Sequence, residues 1–163
     1  MVQWKEFAEE APGIAEVFVR RHRATGNLCF LATLRADGSP RISPMEPRIL
    51  EGRLVLVGMP NTLKFRDLAR DPRFELHTAT VDTHVGEGDA KVWGEVSDVR
   101  DTDLHARFAD DLFAESGFDL RGQRFDPFYV ADLAGASSVE FRDGQLTITT
   151  WKPGEGERSD VLG

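Results

Sequence analysis

This 163-residue sequence predicts a mainly β fold, a small antiparallel barrel decorated by helices. Three observations lead there. Runs of strand length, apolar or alternating, recur about six times along the chain. Tight-turn dipeptides join near neighbours among them: Asp37-Gly38, Glu51-Gly52 and Asp143-Gly144. Helical periodicity is confined to short stretches between these runs. With no repeat, linker or low-complexity tract, residues 1–163 read as a single domain.

The elements follow in order. Pro12 suits the first turn of a helix running to about Ala24, with Ile14, Val17 and Phe18 as its apolar face and Gly26 as its stop. "LCFLATL" is an apolar strand, Asp37-Gly38 turns the chain, and "RISPMEPRIL" returns. Glu51-Gly52 then leads into "RLVLVG", so these three strands are expected to form an antiparallel meander. A helix from Thr62 to Arg70 follows. Asp71-Pro72 closes it, because the residue before proline avoids the helical region. "RFELHTATV" places Phe74, Leu76 and Thr78 on one face and Glu75, His77 and Ala79 on the other. After the polar loop "DTHVGEGD" come the strand "AKVWGEVSDV" and an acidic helix over 102–115 carrying Leu104, Phe108 and Leu112. "FYVADL", "ASSVEFRDG" and "QLTITTWKP" supply two or three further strands, and residues 153–163 are expected to be a mobile tail.

A formal net charge of −8 repels polyanions and argues against a nucleic-acid partner. The acids concentrate around "DVRDTDLHARFADDLFAE", which leaves room for a small basic pocket elsewhere. No run of about 18 apolar residues offers a membrane span. The opening "MVQWKEFAEEAPG" is unlike a secretory leader. Cys29, the single cysteine, lies in the apolar run "NLCFLATL" and reads as a small core residue. A cytoplasmic location is the expectation.

There is no nucleophile elbow, Walker loop or dinucleotide-binding glycine fingerprint, so no catalytic side chain is named. His22, His77, His84 and His105 lack metal-ligand spacing, and no metal is expected. His22 and His105 fall in helical segments and read as structural, whereas His77 and His84 flank a strand and its loop and could line a pocket. "GMPNTLKFRDLARDPRF" places Lys64 and Arg66 in a first helical turn, where the dipole favours acids. Either an anion docks on this helix start or the charges are solvated surface residues.

"GNLCFLATLRADGSPRISPMEPRILEGRLVLVGMPNTLKFRDLARDPRFELHT" resembles the pyridoxamine 5′-phosphate oxidase-like, FMN-binding split-barrel family. The likeness covers roughly residues 12 to 100, including "KVWGEV" further on. It rests on an ordered set of parts: a leading helix, "LATLRADGSPRISP", "GRLVLV", and a Thr-x-Lys helix ending in "RDPR". The C-terminal third matches in outline, through "FYVADL" and "ITTWKPGEG".

The resemblance implies a six-stranded antiparallel split β-barrel of Greek-key type, flanked by helices. It also implies a homodimer with FMN in the grooves between subunits, or else the deazaflavin coenzyme F-420, with haem as a further alternative. Carried over by position, the cofactor phosphate falls to Arg41, Thr62 and Lys64. Ser43 and Pro44 run along the cofactor, Val57, Gly58 and Met59 pass the ring or ribityl chain, and Trp151 supplies an aromatic, unless it closes the core. Arg48 either reaches a phosphate or faces solvent, and Trp93 either stacks on a ring or packs. The sequence departs from the family's oxidases in two places. Leu63 precedes Lys64 where they carry Arg-Lys after the serine, and the end "TWKPGEGERSDVLG" lacks their arginine- and histidine-rich substrate segment. True pyridoxamine phosphate oxidase activity is therefore not expected. The leading expectation is a flavin-dependent oxidoreductase passing hydride or electrons to or from a small conjugated substrate. The alternatives are a deazaflavin-dependent reductase, a non-catalytic flavin or haem binder with His77 or His84 as axial ligand, and a dimeric interaction module with an empty groove, which Glu46 and Leu63 keep open.

Overall fold

The structure, a computed structural model, describes residues 1–80 and 87–162. Its helices are α1 (Trp4–Glu10), α2 (Pro12–Ala24), α3 (Leu63–Arg70) and α4 (Thr102–Ser116). Its strands are β1 (Cys29–Leu34), β2 (Pro40–Met45), β3 (Arg48–Leu50), β4 (Arg53–Leu56), β5 (Arg73–Thr78), β6 (Asp89–Asp98), β7 (Tyr129–Arg142), β8 (Gln145–Lys152) and β9 (Gly156–Leu162). All nine belong to one antiparallel sheet, ordered β2-β1-β5-β6-β7-β4-β3, with β8 and β9 added beyond β7. The mainly β, helix-decorated barrel expected from the sequence is the fold observed, with nine strands where about six were expected.

The ends of that order, β2 and β3, are adjacent in sequence, separated by Glu46 and Pro47. The sheet must therefore curl until its two edges meet, yet no ladder pairs β2 with β3 among the described residues. This is the split in the barrel. "RISPMEPRIL" is two strands, and the expected meander becomes two hairpins, β1–β2 and β3–β4, at opposite ends of the sheet. Pro47 has no N–H to donate and holds Glu46 extended, so pairing stops where the chain changes partners. The hairpin turns are as expected: Glu51-Gly52 (φ 49° and 75°) and Asp143-Gly144 (φ 51° and 79°) both have two positive φ values, as type I′ turns need.

β7 serves two neighbours in succession. Tyr129–Ala131 pair with β4 and Ala136–Arg142 with β8, while β6 runs beside both halves. Between them lies a bulge: Trp93 faces Gly135, Gly94 faces Leu133, and Ala134 is skipped. Glycine is required here, because a Cβ on Gly94 would sit 1.9 Å from the Asp132 carbonyl oxygen. Gly135 similarly makes room for Trp93, whose ring would come within 2.4 Å of an added Cβ. The tail expected to be mobile is instead the edge strand β9, paired with β8 from Gly156 to Leu162. Its side chains are almost all exposed, so apolar periodicity gives no sign of it.

The sequence reading gave no helix at Trp4–Glu10. α1 and α2 cover one face of the sheet, where Trp4, Phe7, Ile14 and Phe18 meet Leu31, Leu54, Leu76, Val92, Leu133 and Trp151. Phe7, Ile14 and Phe18 have no exposed surface, and each buried side chain of this kind contributes about 1.5–3 kcal/mol. A second cluster lies under α4, around Leu104, Phe108, Phe125 and Phe128. Asp101 caps α4 by accepting from the Asp103 and Leu104 N–H groups, and Gly117 ends it at φ 73°. Cys29 is fully buried as expected, and burial pushes its thiol up to about 12. No helix among the described residues is long and apolar enough to cross a membrane.

Candidate functional site

β2 alternates, turning Arg41, Ser43 and Met45 to one face and Pro40, Ile42 and Pro44 to the other. Arg41 is the register partner of Thr33 on β1, so the two side chains share a face. Both meet α3. Arg41 Nε donates to Asp67 Oδ2 at 2.6 Å and Thr33 Oγ1 donates to the same oxygen at 3.0 Å. Arg70 Nη2 donates to Asp67 Oδ1 at 3.2 Å. Asp67 is 4 % exposed. Burial alone would raise its pKa, but the donations from Arg41, Thr33 and Arg70 outweigh that and hold the carboxyl below its usual value.

The start of α3 is bound to the same strand. Lys64 Nζ donates to the Pro44 carbonyl at 2.7 Å. Partial burial lowers the pKa of its ammonium, with the Glu46 carboxylate acting in the opposite direction. Thr62 occupies the N-cap position in an extended conformation, but its side chain caps nothing. Its Oγ1 is buried with no hydrogen-bond partner among the described residues. The N–H groups of the first helical turn are also left without intrahelical acceptors. No acidic residue occupies that turn.

Along the β2–α3 contact the chain thus carries an unpartnered buried hydroxyl, free N–H groups, a half-buried ammonium and a fixed guanidinium. This donor set fits a phosphate monoester, which offers only acceptors at neutral pH. Gly58 lies beside Phe65, whose ring lies 3.4 Å from where a Cβ would be. Met59 (78 %) and Leu63 (54 %) are exposed, and Val57 is half-buried. Sequence reading missed Thr33 and Asp67 and gave Arg70 no part in the site; Arg70 is exposed on the surface yet pairs with Asp67. One signal was available: Asp67 lies between Phe65 and Leu68 on the buried side of α3.

Other expected site residues lie elsewhere. Trp151 is 2 % exposed, packs on Phe7 at a ring distance of 5.0 Å and donates Nε1–H to Glu10 at 3.0 Å. Its surroundings are those of a core tryptophan, joining β8 to α1. Arg48 neither joins the β2–α3 contact nor faces solvent. It is buried and pairs with Asp111 at 3.1 Å and with Glu115, both on α4. His22 and His105 are structural, bonding through Nε2 to the Pro47 and Val99 carbonyls and stacking on Phe18 and Phe128. His77 Nδ1–H donates to Thr78 O at 2.6 Å, leaving Nε2 3.7 Å from Asp89 Oδ1. His84 lies outside the described residues. No cluster of three or more metal-ligating groups occurs among the described residues.

The sheet face opposite α1 and α2 is apolar and open. Ala32, Leu34, Pro40, Trp93 and Ala134 line a cavity of about 420 Å³ there, rimmed by Arg73, Glu75 and Glu95. Phe30 (41 % exposed) and Ile42 (74 %) continue this surface.

Residues 18–134 match the pyridoxamine 5′-phosphate oxidase family, and the chain belongs to it. Similar solved structures share the fold. A pyridoxamine 5′-phosphate oxidase-related, FMN-binding protein from Nostoc punctiforme aligns with TM-score 0.61 at 15 % identity, covering 93 % of this chain and 95 % of that one. PhzG from Burkholderia lata, solved with tetrahydrophenazine-1-carboxylic acid, aligns with TM-score 0.60 at 15 % identity over 88 % and 89 %. A haem-binding protein from Mycobacterium smegmatis aligns with TM-score 0.56 at 22 % identity, covering 90 % of this chain and 57 % of that one. None of the curated proteins compared matches the sequence.

Proposed function

We propose that this chain is an FMN-dependent oxidoreductase that holds the cofactor phosphate at the β2–α3 contact and acts on a small conjugated molecule. The observation that carries the reading is the buried, unpartnered Thr62 Oγ1 at the start of α3, the helix that also brings Lys64 and the Asp67-bound Arg41 to the β2–α3 contact. A bound flavin would supply the hydride chemistry, and the protein's part is to bind, orient and shield the ring. Arg41, Thr62 and Lys64 hold the phosphate. Ser43, Pro44, Val57, Gly58 and Met59 border the rest of the molecule. No side chain is assigned as acid or base. Coenzyme F-420 is the alternative cofactor, because it is a flavin-like ring on a phosphate-bearing tail.

The exposed apolar face around Phe30, Ile42 and Trp93 supports a homodimer, with the cofactor in the grooves between subunits. A cytoplasmic location fits the single buried cysteine. A second reading, a haem binder, draws on His77. Its Nδ1–H is anchored on a carbonyl, which leaves the Nε2 lone pair for a metal. Titrating the purified protein with FMN, riboflavin, F-420 and haem decides among these. FMN bound tighter than riboflavin, with that preference lost in Lys64→Ala, supports the phosphate site, and equal binding of both flavins overturns it. A Soret band that Lys64→Ala leaves unchanged and His77→Ala abolishes would move the assignment to haem.

A further inference from the structure

We infer that Asp67 is a positioning residue for anion recognition: it aims Arg41 at the ligand phosphate without touching the ligand itself. The inference rests on the phosphate-site reading above and deepens it. An arginine on a strand exposed along one side has many rotamers, and ordering it on binding costs affinity. Here the ordering is done in advance. Asp67 Oδ2 takes the Nε–H of Arg41 at 2.6 Å, fixing the plane of the guanidinium. Among the described residues the Arg41 Nη groups have no hydrogen-bond partner, so the fork that reads phosphate oxygens stays available.

A carboxylate near a phosphate site would ordinarily repel the ligand. Asp67 is shielded from doing so. It is buried, both of its oxygens are engaged, and two guanidinium groups face its single charge. With Lys64 added, the contact keeps net positive charge despite the exposed Glu46. Asp67 also joins the two elements that carry the ligands, since Thr33 and Arg41 come from the sheet and Asp67 from α3. It lies three residues after Lys64, so one helical turn sets the Arg41 anchor relative to the lysine.

The test compares FMN with riboflavin, which lacks only the phosphate, by flavin-fluorescence titration of wild type, Asp67→Asn and Arg41→Lys. Asp67→Asn should lower FMN affinity about tenfold, the size of one lost charge-assisted hydrogen bond, with riboflavin affinity kept within about twofold. Arg41→Lys keeps the charge but cannot be held through Nε while presenting a fork, so it should lose FMN preference to a similar degree. Equal losses for both flavins in Asp67→Asn would make Asp67 merely structural and overturn the inference. Tighter FMN binding would show that Asp67 competes with the phosphate for Arg41, and would overturn it too. Should Asp67→Asn not fold, Arg41→Lys decides alone: an unchanged FMN preference sinks the inference. A wild type that binds FMN and riboflavin equally refutes the phosphate site itself, a result distinct from any of these.

Discussion

Gly94→Ala puts the central bulge of the barrel to the test. Built on the observed backbone, the new Cβ lies 1.9 Å from Asp132 O, 2.9 Å from Asp132 C and 3.0 Å from Leu133 Cα. Ordinary contact begins at about 3.4 Å, so the two strands must part by roughly 1.5 Å at this point. All three clashing atoms are backbone, and no side-chain rotation relieves them. Overpacking alone costs about 1–3 kcal/mol. Parting β6 from β7 also breaks one or two ladder hydrogen bonds in the sheet interior, at about 1–3 kcal/mol for each buried group left unpaired. A loss of about 3–5 kcal/mol follows, in the range that marks a specific structural fault. For a domain of this size it corresponds to a fall in Tm of about 10 °C or more. Urea unfolding followed by tryptophan fluorescence measures it. Gly58→Ala is the control, since its Cβ would meet only the Phe65 ring at 3.4 Å, and it should cost under about 1 kcal/mol. A Gly94→Ala protein within about 1 kcal/mol of wild type would refute the close approach.

Thr62→Val should leave stability unchanged or slightly raised, because the hydroxyl it removes has no partner, while FMN affinity falls; a stability loss above about 1 kcal/mol in urea unfolding would show that the hydroxyl is engaged. Lys64→Ala should weaken FMN about tenfold and riboflavin little, read by fluorescence titration. Ile42→Asp places a charge on a side chain that is 74 % exposed and should convert the proposed dimer to monomers in sedimentation velocity, with the fold intact; a wild type that sediments as a monomer would refute the dimer. His22 gives a pH dependence. Burial lowers its pKa below 6.5, with Arg48 and Arg23 adding to the shift and the Pro47 carbonyl opposing it. The unfolded chain therefore binds the proton more readily, and stability should fall as pH drops from about 6.5 towards the folded value. His22→Gln should flatten that slope in urea unfolding between pH 7 and pH 5, and an unchanged slope would assign it to other groups.

Much of the fold was legible because its signals are local. Asp37-Gly38, Glu51-Gly52 and Asp143-Gly144 mark hairpins through backbone conformations that only neighbouring residues decide. Pro12 and Asp71-Pro72 bound helices in the same way. The ordered motifs from "LATLRADGSPRISP" to "RDPR" likewise sufficed to place the chain in its family. Half of the candidate site was equally legible, since Arg41, Thr62 and Lys64 stand at motif positions. The other half was not: the place of Asp67 between Phe65 and Leu68 points to burial, but its partners Thr33 and Arg41 are set by the fold.

The sequence by itself determined where the hairpins turn, where α2, α3 and α4 lie, and which two short stretches carry the cations of the candidate site. Tertiary structure alone decided the rest. It parted β2 from β3 at opposite ends of the sheet and recruited the polar segment Gly156–Leu162 as an edge strand. It also buried Trp151 against α1, drew Arg48 to α4 and gave Arg41 its anchor. The physical reason is the same in each case. Turn and helix preferences are properties of a few consecutive residues, whereas strand pairing, burial and ion pairing depend on partners that only the closed barrel brings together.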